Sequence, residues 1–340
     1  MDLAALETIA RRLVAPAKGI LAADESTPTI QKRFDAIGVA STAETRRAYR
    51  ELLFKTAGVE AFISGVILFE ETLRQTAADG LPFPELLAQK GILAGIKVDK
   101  GAKALAGFDG EKITEGLDGL RERLREYHDL GARFAKWRAV ITIGEGRPSR
   151  WCLAANAHAL ARYAALCQEA GLVPIVEPEV LMDGTHTIGR CRDVTAAALQ
   201  SLFAALFDSC VSLEGLLLKP NMVISGIDCP TQAGVAEVAR ATVRCLRQVV
   251  PAAVPGIVFL SGGQSSELAT AHLSAMNAIG PHPWELSFSY GRALQEQPLK
   301  AWQGQTGNVA AAQQRFLRRA QLNSAARSGT YTAAMESEAA

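Results

Sequence analysis

The amino-acid sequence predicts an α/β fold, a single (β/α)8 TIM barrel over residues 1–340, with an extra N-terminal helix over 1–15 and a short C-terminal tail over 328–340. Three observations predict it. Short apolar runs alternate with helical patterns, which favours a parallel sheet. About eight such repeats follow one another without a convincing linker, which favours one closed barrel over two open sheets. An open doubly wound sheet would also bring a Gly-rich turn after its first strand, and Ala23-Asp24-Glu25-Ser26 is not one.

Leu3, Leu6, Ile9, Ala10 and Leu13 fall on one face of a helix over 2–14. Residues 19–24 read as a short buried strand ending in a carboxylate. Ser41-Thr42-Ala43-Glu44 has capping-box spacing and opens a helix through Leu52 and Leu53. The next strand covers 61–69 and ends at Glu70, and a helix around 71–77 precedes a strand over 93–99. A polar stretch and a charged helix over 117–130 lead to a strand over 131–140. The second half repeats the rhythm. A helix over 153–170, stopped by Gly171, feeds a strand over 172–180. A helix over 194–208 precedes the apolar run 215–223, where Leu217-Leu218-Lys219-Pro220 places a proline at the strand end and an amine where the strand leaves the core. A helix over 231–249, closed by Pro251, and a strand over 256–261 follow. A helix over 266–276, a strand over 284–290 and a long helix over about 309–326 complete the pattern.

The 340 residues are 49% hydrophobic and carry a formal net charge of +1. The first figure supports a large core; the second gives no electrostatic case for nucleic acid or an anionic membrane surface. No apolar run approaches the ~20 residues of a membrane span. Residues 1–7 show neither a basic n-region nor an apolar h-region, so no secretory signal is expected and the location expected is cytoplasmic. Cys152, Cys167, Cys191, Cys210, Cys229 and Cys245 form no C-x-x-C pair and read as reduced thiols.

Nearly every strand ends in a charged or reactive residue: Asp24, Glu70, Lys97 with Asp99, Lys136 with Arg138, Glu177 with Glu179, Lys219, Ser261 and then Arg292. The pairs are spaced i, i+2, so both members of each face one side, and in a barrel that side can be the mouth where active sites are built. Any one of these ends alone reads as a solvated terminus or an internal ion pair; their convergence is what points to a site. Burial favours the neutral form of Lys219, which takes on the order of 4–5 kcal/mol at neutral pH. A neutral amine in a dry pocket attacks carbonyls to give a Schiff base. Lys136 nearby adds like-charge repulsion, and carboxylates beside the lysines can move protons. Ser261-Gly262-Gly263-Gln264 offers backbone N–H groups ahead of a helix, and Tyr290-Gly291-Arg292 adds a guanidinium, together an anion cradle. His128, His158, His186, His272 and His282 show no metal-binding spacing, so no metal is expected.

These stretches, with Leu21-Ala22-Ala23-Asp24-Glu25-Ser26-Thr27, Gly95-Ile96-Lys97-Val98-Asp99-Lys100-Gly101, Ala135-Lys136-Trp137-Arg138, Val176-Glu177-Pro178-Glu179 and Phe288-Ser289-Tyr290-Gly291-Arg292, resemble the class I (Schiff-base) fructose-1,6-bisphosphate aldolases. The resemblance covers residues 5–331, in family order. It implies reversible cleavage of fructose 1,6-bisphosphate to glycerone phosphate and glyceraldehyde 3-phosphate, in glycolysis and gluconeogenesis, by a cytosolic homotetramer with no cofactor or metal. It implies Lys219 as the Schiff-base lysine, Glu177 as acid/base, Lys136 and Asp24 as its partners in cleavage, and Glu179 as a supporting carboxylate. Ser261, Gly262, Gly291 and Arg292 would hold the 1-phosphate and Lys97 and Arg138 the 6-phosphate, with Gly263 and Ser289 as further substrate-binding residues and Arg33 and Lys32 lining the same mouth. The chain departs from the family at Pro28-Thr29, where Gly-Ser is common, and it carries no terminal aromatic after Tyr331. A Schiff-base aldolase acting on another phosphorylated ketose, such as sedoheptulose 1,7-bisphosphate, and a non-catalytic barrel scaffold are the alternatives.

Overall fold

Leu6, Ala10 and Leu13 recur on one helical face, and in the computed structural model, which describes residues 2–337, they lie on the buried side of helix α1 (Leu3–Leu13). Asp2 caps that helix, its carboxylate accepting the Ala5 amide at 3.0 Å. The chain continues through β1 (Gly19–Ala23), α2 (Thr27–Asp35), α3 (Ala43–Phe54), β2 (Ile63–Leu68), α4 (Glu70–Leu73), α5 (Phe83–Gln89) and β3 (Leu93–Lys97). A small ribbon, β4 (Ala102–Ala104) with β5 (Lys112–Thr114), precedes α6 (Leu120–Asp129), β6 (Phe134–Ile141), α7 (Arg150–Glu169) and β7 (Val173–Val180). Then come α8 (Ile188–Asp208), β8 (Leu217–Leu218), α9 (Val235–Val249), β9 (Gly256–Phe259) and α10 (Ser266–Ile279). The last elements are β10 (Glu285–Tyr290), α11 (Arg292–Trp302) and α12 (Val309–Arg327).

Strands β1, β2, β3, β6, β7, β8, β9 and β10 close a parallel barrel in that order. The closure is made at β1, where Ile20 lies opposite Gly65 of β2 and Ser289 of β10. The strands are buried on both faces, as apolar runs in a parallel sheet must be. Glycines let aromatic rings cross the barrel interior. A Cβ on Gly95 would sit 2.3 Å from the Phe134 ring, and one on Gly19 would sit 2.5 Å from Phe288. Leu6, Ala10 and Leu13 of α1, with Val14, close the N-terminal end over Phe134, Val173, Ile175, Leu217 and Val258. The interior of one end of the barrel is thus an apolar plug, and the charged cavity lies at the other.

Several local expectations shift. The capping box of α3 belongs to Thr42 and Thr45, not to Ser41 and Glu44: each hydroxyl accepts the other residue's amide, at 3.1 and 2.9 Å. The polar stretch after β3 is the β4–β5 ribbon, and α2 and α11 are helices the periodicity did not announce. Glu70 opens α4 and pairs with Arg74 and Lys100 at 3.4 and 3.5 Å, away from the mouth. The strand at Lys219 is two residues long. Pro220 has no N–H to continue the ladder, and the Asn221 side chain takes over, its carbonyl accepting the Val180 amide at 3.0 Å. The tail after α12 is pinned by Arg319, whose guanidinium meets Glu336 at 2.6 Å, while the Tyr331 hydroxyl donates to the same carboxylate. The end of that tail, Glu338, Ala339 and Ala340, where the expected missing aromatic falls, lies outside the described residues.

Candidate active site

Parallel register sets the site. Lys97 lies opposite Lys136, and Arg138 opposite Glu177, so three adjacent strands deliver alternating cations and carboxylates to one mouth. The i, i+2 pairs lie together as their spacing predicted. Lys97, Asp99, Lys136, Arg138, Glu177 and Glu179 all line a single cavity of about 360 Å³, with Asp24 and Lys219.

Lys219 is placed by the last ladder bond of β8, its amide donating to the Val176 carbonyl at 2.8 Å. Its side-chain nitrogen is buried 3.2 Å from Glu177 Oε1. The other oxygen of Glu177 stands 3.2 Å from Lys136 Nζ, off the line of a good hydrogen bond. Lys136 is anchored on its far side by Asp24 at 2.7 Å. Burial works against a charge on Lys136 and is the largest single influence on it. The carboxylates of Asp24, Glu177 and Asp99 together outweigh it and hold the amine charged above the ordinary lysine range. Burial likewise pushes Asp24 and Glu177 up, but Lys136 and Lys219 overcome it and keep both carboxyls below the usual range. The set is one buried amine beside a carboxylate that touches a second, firmly cationic lysine.

Residues 5–340 match the family model described as fructose-bisphosphate aldolase class-I. A probable fructose-bisphosphate aldolase class 1 of Xanthomonas campestris pv. campestris is 60% identical over 332 residues, covering 97% of this chain and 99% of the relative. The chain belongs to the class I fructose-bisphosphate aldolase family. A cytosolic fructose-bisphosphate aldolase of Arabidopsis thaliana is 56% identical over 93% of this chain and 81% of the relative. The Plasmodium falciparum aldolase, solved in complex with TRAP and a small-molecule inhibitor, superposes with a TM-score of 0.96 at 53% identity, over 97% of this chain and 95% of that one. The barrel expected from the strand count is therefore the barrel of this family.

Around the amine pair, the aldolase mouth is completed by the loops after β9 and β10. Ser261, Gly262, Ser289, Gly291 and Arg292 line the cavity. Arg292 bridges the two loops, donating to the carbonyls of Gly262 at 3.0 Å and Gln264 at 3.3 Å. The Ser289 hydroxyl is buried with no protein partner, leaving a donor for a ligand. Gly263 is turned away: its amide donates to the Met182 sulfur at 2.9 Å, and it does not line the cavity. Lys32 is also outside. Thr29 and Arg33, one helical turn apart on α2, face the mouth, and Lys32 falls on the exposed side.

Asp99 holds the β3 end in place. Its carboxylate pairs with Lys97 at 2.8 Å and accepts the Arg138 amide at 3.2 Å. Glu179 pairs with Arg138 in turn. The site-residue expectations omit Glu25, Ser26 and Thr29, all of which line the cavity. The hydroxyls of Ser26 and Thr29 lie 3.1 Å apart at the first turn of α2. The signal available for them was Ser26-Thr27-Pro28, a polar residue and a proline at a helix start.

Among the described residues no group of three or more His, Cys, Asp or Glu side chains is arranged to hold a metal ion, and no helix is long and apolar enough to cross a membrane. All six cysteines are free thiols; Cys210 is exposed and the rest are buried.

Proposed function

We propose that Lys219 is the Schiff-base nucleophile of a class I aldolase that cleaves fructose 1,6-bisphosphate reversibly to glycerone phosphate and glyceraldehyde 3-phosphate. The observation that carries this reading is the 3.2 Å contact of the buried Lys219 amine with Glu177 inside a mouth that also holds the two anion-binding loops. The amine adds to the C2 carbonyl of the ketose. Glu177, protonated by the Lys219 nitrogen as the amine is freed to add, returns that proton to the carbinolamine hydroxyl, which leaves as water, and the iminium remains on Lys219. The iminium then accepts the electron pair of the C3–C4 bond as a carboxylate, Asp24 or Glu177, takes the C4 hydroxyl proton. Glyceraldehyde 3-phosphate departs, C3 of the enamine is protonated, and water releases glycerone phosphate and the free amine. Lys136 stays cationic throughout and stabilises the charge that develops on the C4 oxygen.

Ser261, Gly262, Ser289, Gly291 and Arg292 are assigned to the 1-phosphate. Lys97 and Arg138, with the Ser26 and Thr29 hydroxyls, are assigned to the 6-phosphate. Glu179 and Asp99 hold Arg138 and Lys97 in position. A cytosolic homo-oligomer, a tetramer by family resemblance, is the proposed working form. Phe207, 82% exposed, and Trp151, 56% exposed, are large apolar side chains that association would cover.

Borohydride reduction in the presence of fructose 1,6-bisphosphate, followed by peptide mapping, is expected to place the substrate carbons on Lys219. Modification of another lysine, or activity abolished by EDTA, would contradict the assignment. Ranking kcat/KM across ketose phosphates then fixes the preferred substrate.

A further inference from the structure

Arg50 lies in the middle of α3 and does not line the cavity, yet it is 2% exposed and charged. A guanidinium is buried only where its donors are used. One donates to Glu25 at 2.6 Å and another to the Gln295 side-chain carbonyl at 3.2 Å. Gln295, on α11, returns its amide to the other Glu25 oxygen at 2.9 Å and to the Ala22 carbonyl at 2.7 Å. The Glu25 carboxylate is therefore fixed from two helices, and what it holds on its open side is Arg33.

Arg33 is the only member of this cluster that is both cationic and lines the cavity. Its Nη1 is spent on Glu25. Its Nη2 lies 3.8 Å from where a Cβ on Gly291 would stand, within the loop that carries Arg292. Two guanidiniums share one carboxylate, which leaves one positive charge in excess at the exposed member. Burial pushes the Glu25 carboxyl up, but Arg50 and then Arg33 overcome it and keep it ionised.

We propose that Arg50 and Gln295 are positioning residues for substrate phosphate: through Glu25 they hold the Arg33 guanidinium beside Gly291, where it supplements Arg292 in binding the anion. This deepens the aldolase reading and rests on it. Glu25 acts as a hinge pin, since a carboxylate with only Arg33 as partner would follow that side chain into solvent. The phosphate is bound alike before and during bond cleavage, so the contribution falls on KM and not on kcat.

The test uses Arg50→Lys and Gln295→Leu, assayed with fructose 1,6-bisphosphate and fructose 1-phosphate, with inorganic phosphate as competitive inhibitor. The lysine keeps the charge but not the two-pronged grip; the leucine keeps the Arg50–Glu25 ion pair and removes the clamp. Both variants are expected to raise KM for both ketoses about tenfold and to weaken phosphate inhibition by a similar factor, with kcat within about twofold. Borohydride labelling of Lys219 at saturating substrate stays unchanged. Unaltered KM and phosphate inhibition in the folded variants overturn the proposal, as does a fall in kcat with KM constant, the mark of a merely structural loss. If the parent enzyme itself cleaves neither ketose, the aldolase reading fails and takes this inference with it. An active parent with indifferent variants sinks the inference alone.

Discussion

Glu177 holds Lys219 at 3.2 Å through one carboxylate oxygen and reaches Lys136 at the same distance through the other. That geometry makes Glu177 the group best placed to deliver a proton to a carbinolamine on Lys219, while Lys136 keeps it ionised between turnovers. Glu177→Gln preserves shape and removes the proton. The expected result is a fall in kcat of about 10²–10⁴-fold with KM little changed. Pre-steady-state borohydride trapping locates the defect: imine accumulation slows, yet the label still appears on Lys219. Equal trapping rates in both enzymes would transfer the role to Asp24.

The strands were legible in the sequence because a parallel barrel buries them on both faces, and apolar runs such as Val66-Ile67-Leu68 in β2 have few other uses. The pairs Lys97/Asp99, Lys136/Arg138 and Glu177/Glu179 were legible for a simpler reason, since a period of two fixes side-chain direction. The β4–β5 ribbon was not, because its three-residue strands carry no apolar run; β4 is wholly exposed. Helix α11 was hidden by Pro298 in its interior. Glu25 and Arg50 show the harder limit. Their bond joins residues 25 apart, and the Arg50–Gln295 bond joins residues 245 apart. No local pattern records such a pairing.

Acid sensitivity follows from the same carboxylates. Asp24, Glu25 and Glu177 all lie below their ordinary values in the fold. A depressed carboxyl stabilises the native state fully above its unfolded value and loses that contribution as the pH falls through its folded one. Stability is therefore expected to be flat above the usual glutamate value of 4.5 and to decline below it. Lys136→Met removes the cation that depresses two of the three. It leaves buried carboxylates short of a partner, at a cost of about 3–5 kcal/mol near neutrality. Because the shifts shrink, the acid limb of a Tm-against-pH curve is also expected to flatten. A variant curve parallel to the parent's throughout would show that Lys136 does not set these ionisations.

Arg292 ties the loop after β10 to the loop after β9, through the Gly262 and Gln264 carbonyls. Gln264 is itself held by His272, whose Nδ1 lies 2.6 Å from its side-chain oxygen; burial lowers that imidazole to about 4, so it stays neutral in the working range. Arg292→Ala removes the guanidinium proposed to bind phosphate as well as the tie. KM for ketose phosphates is expected to rise about 10–100-fold, and inorganic phosphate inhibition to weaken in step. His272→Ala is expected to cost stability, read as a lower Tm, with a smaller change in KM. The reverse order of effects would mean that loop rigidity, not the guanidinium, governs binding.

The plug at the opposite end of the barrel can be tested without changing any residue that lines the mouth. Phe134 is fully buried, packed against Gly95 on the neighbouring strand and against Gly65 one strand further. Gly95→Ala puts a methyl 2.3 Å from ring carbons, and the ring has no free side to move toward, because α1 closes that end. Overpacking of this kind costs about 1–3 kcal/mol or more, and Phe134→Ala, which leaves a cavity, about 3–5 kcal/mol. The double variant Gly95→Ala with Phe134→Leu relieves the clash and is expected to recover part of the loss in a denaturant titration. Lys97 lies two residues past Gly95 and Lys136 two past Phe134, so the ring and glycine set the level from which the residues lining the mouth rise. A destabilised but folded Gly95→Ala enzyme is accordingly expected to show reduced kcat together with its reduced stability. Full activity would show that the plug and the mouth are mechanically independent.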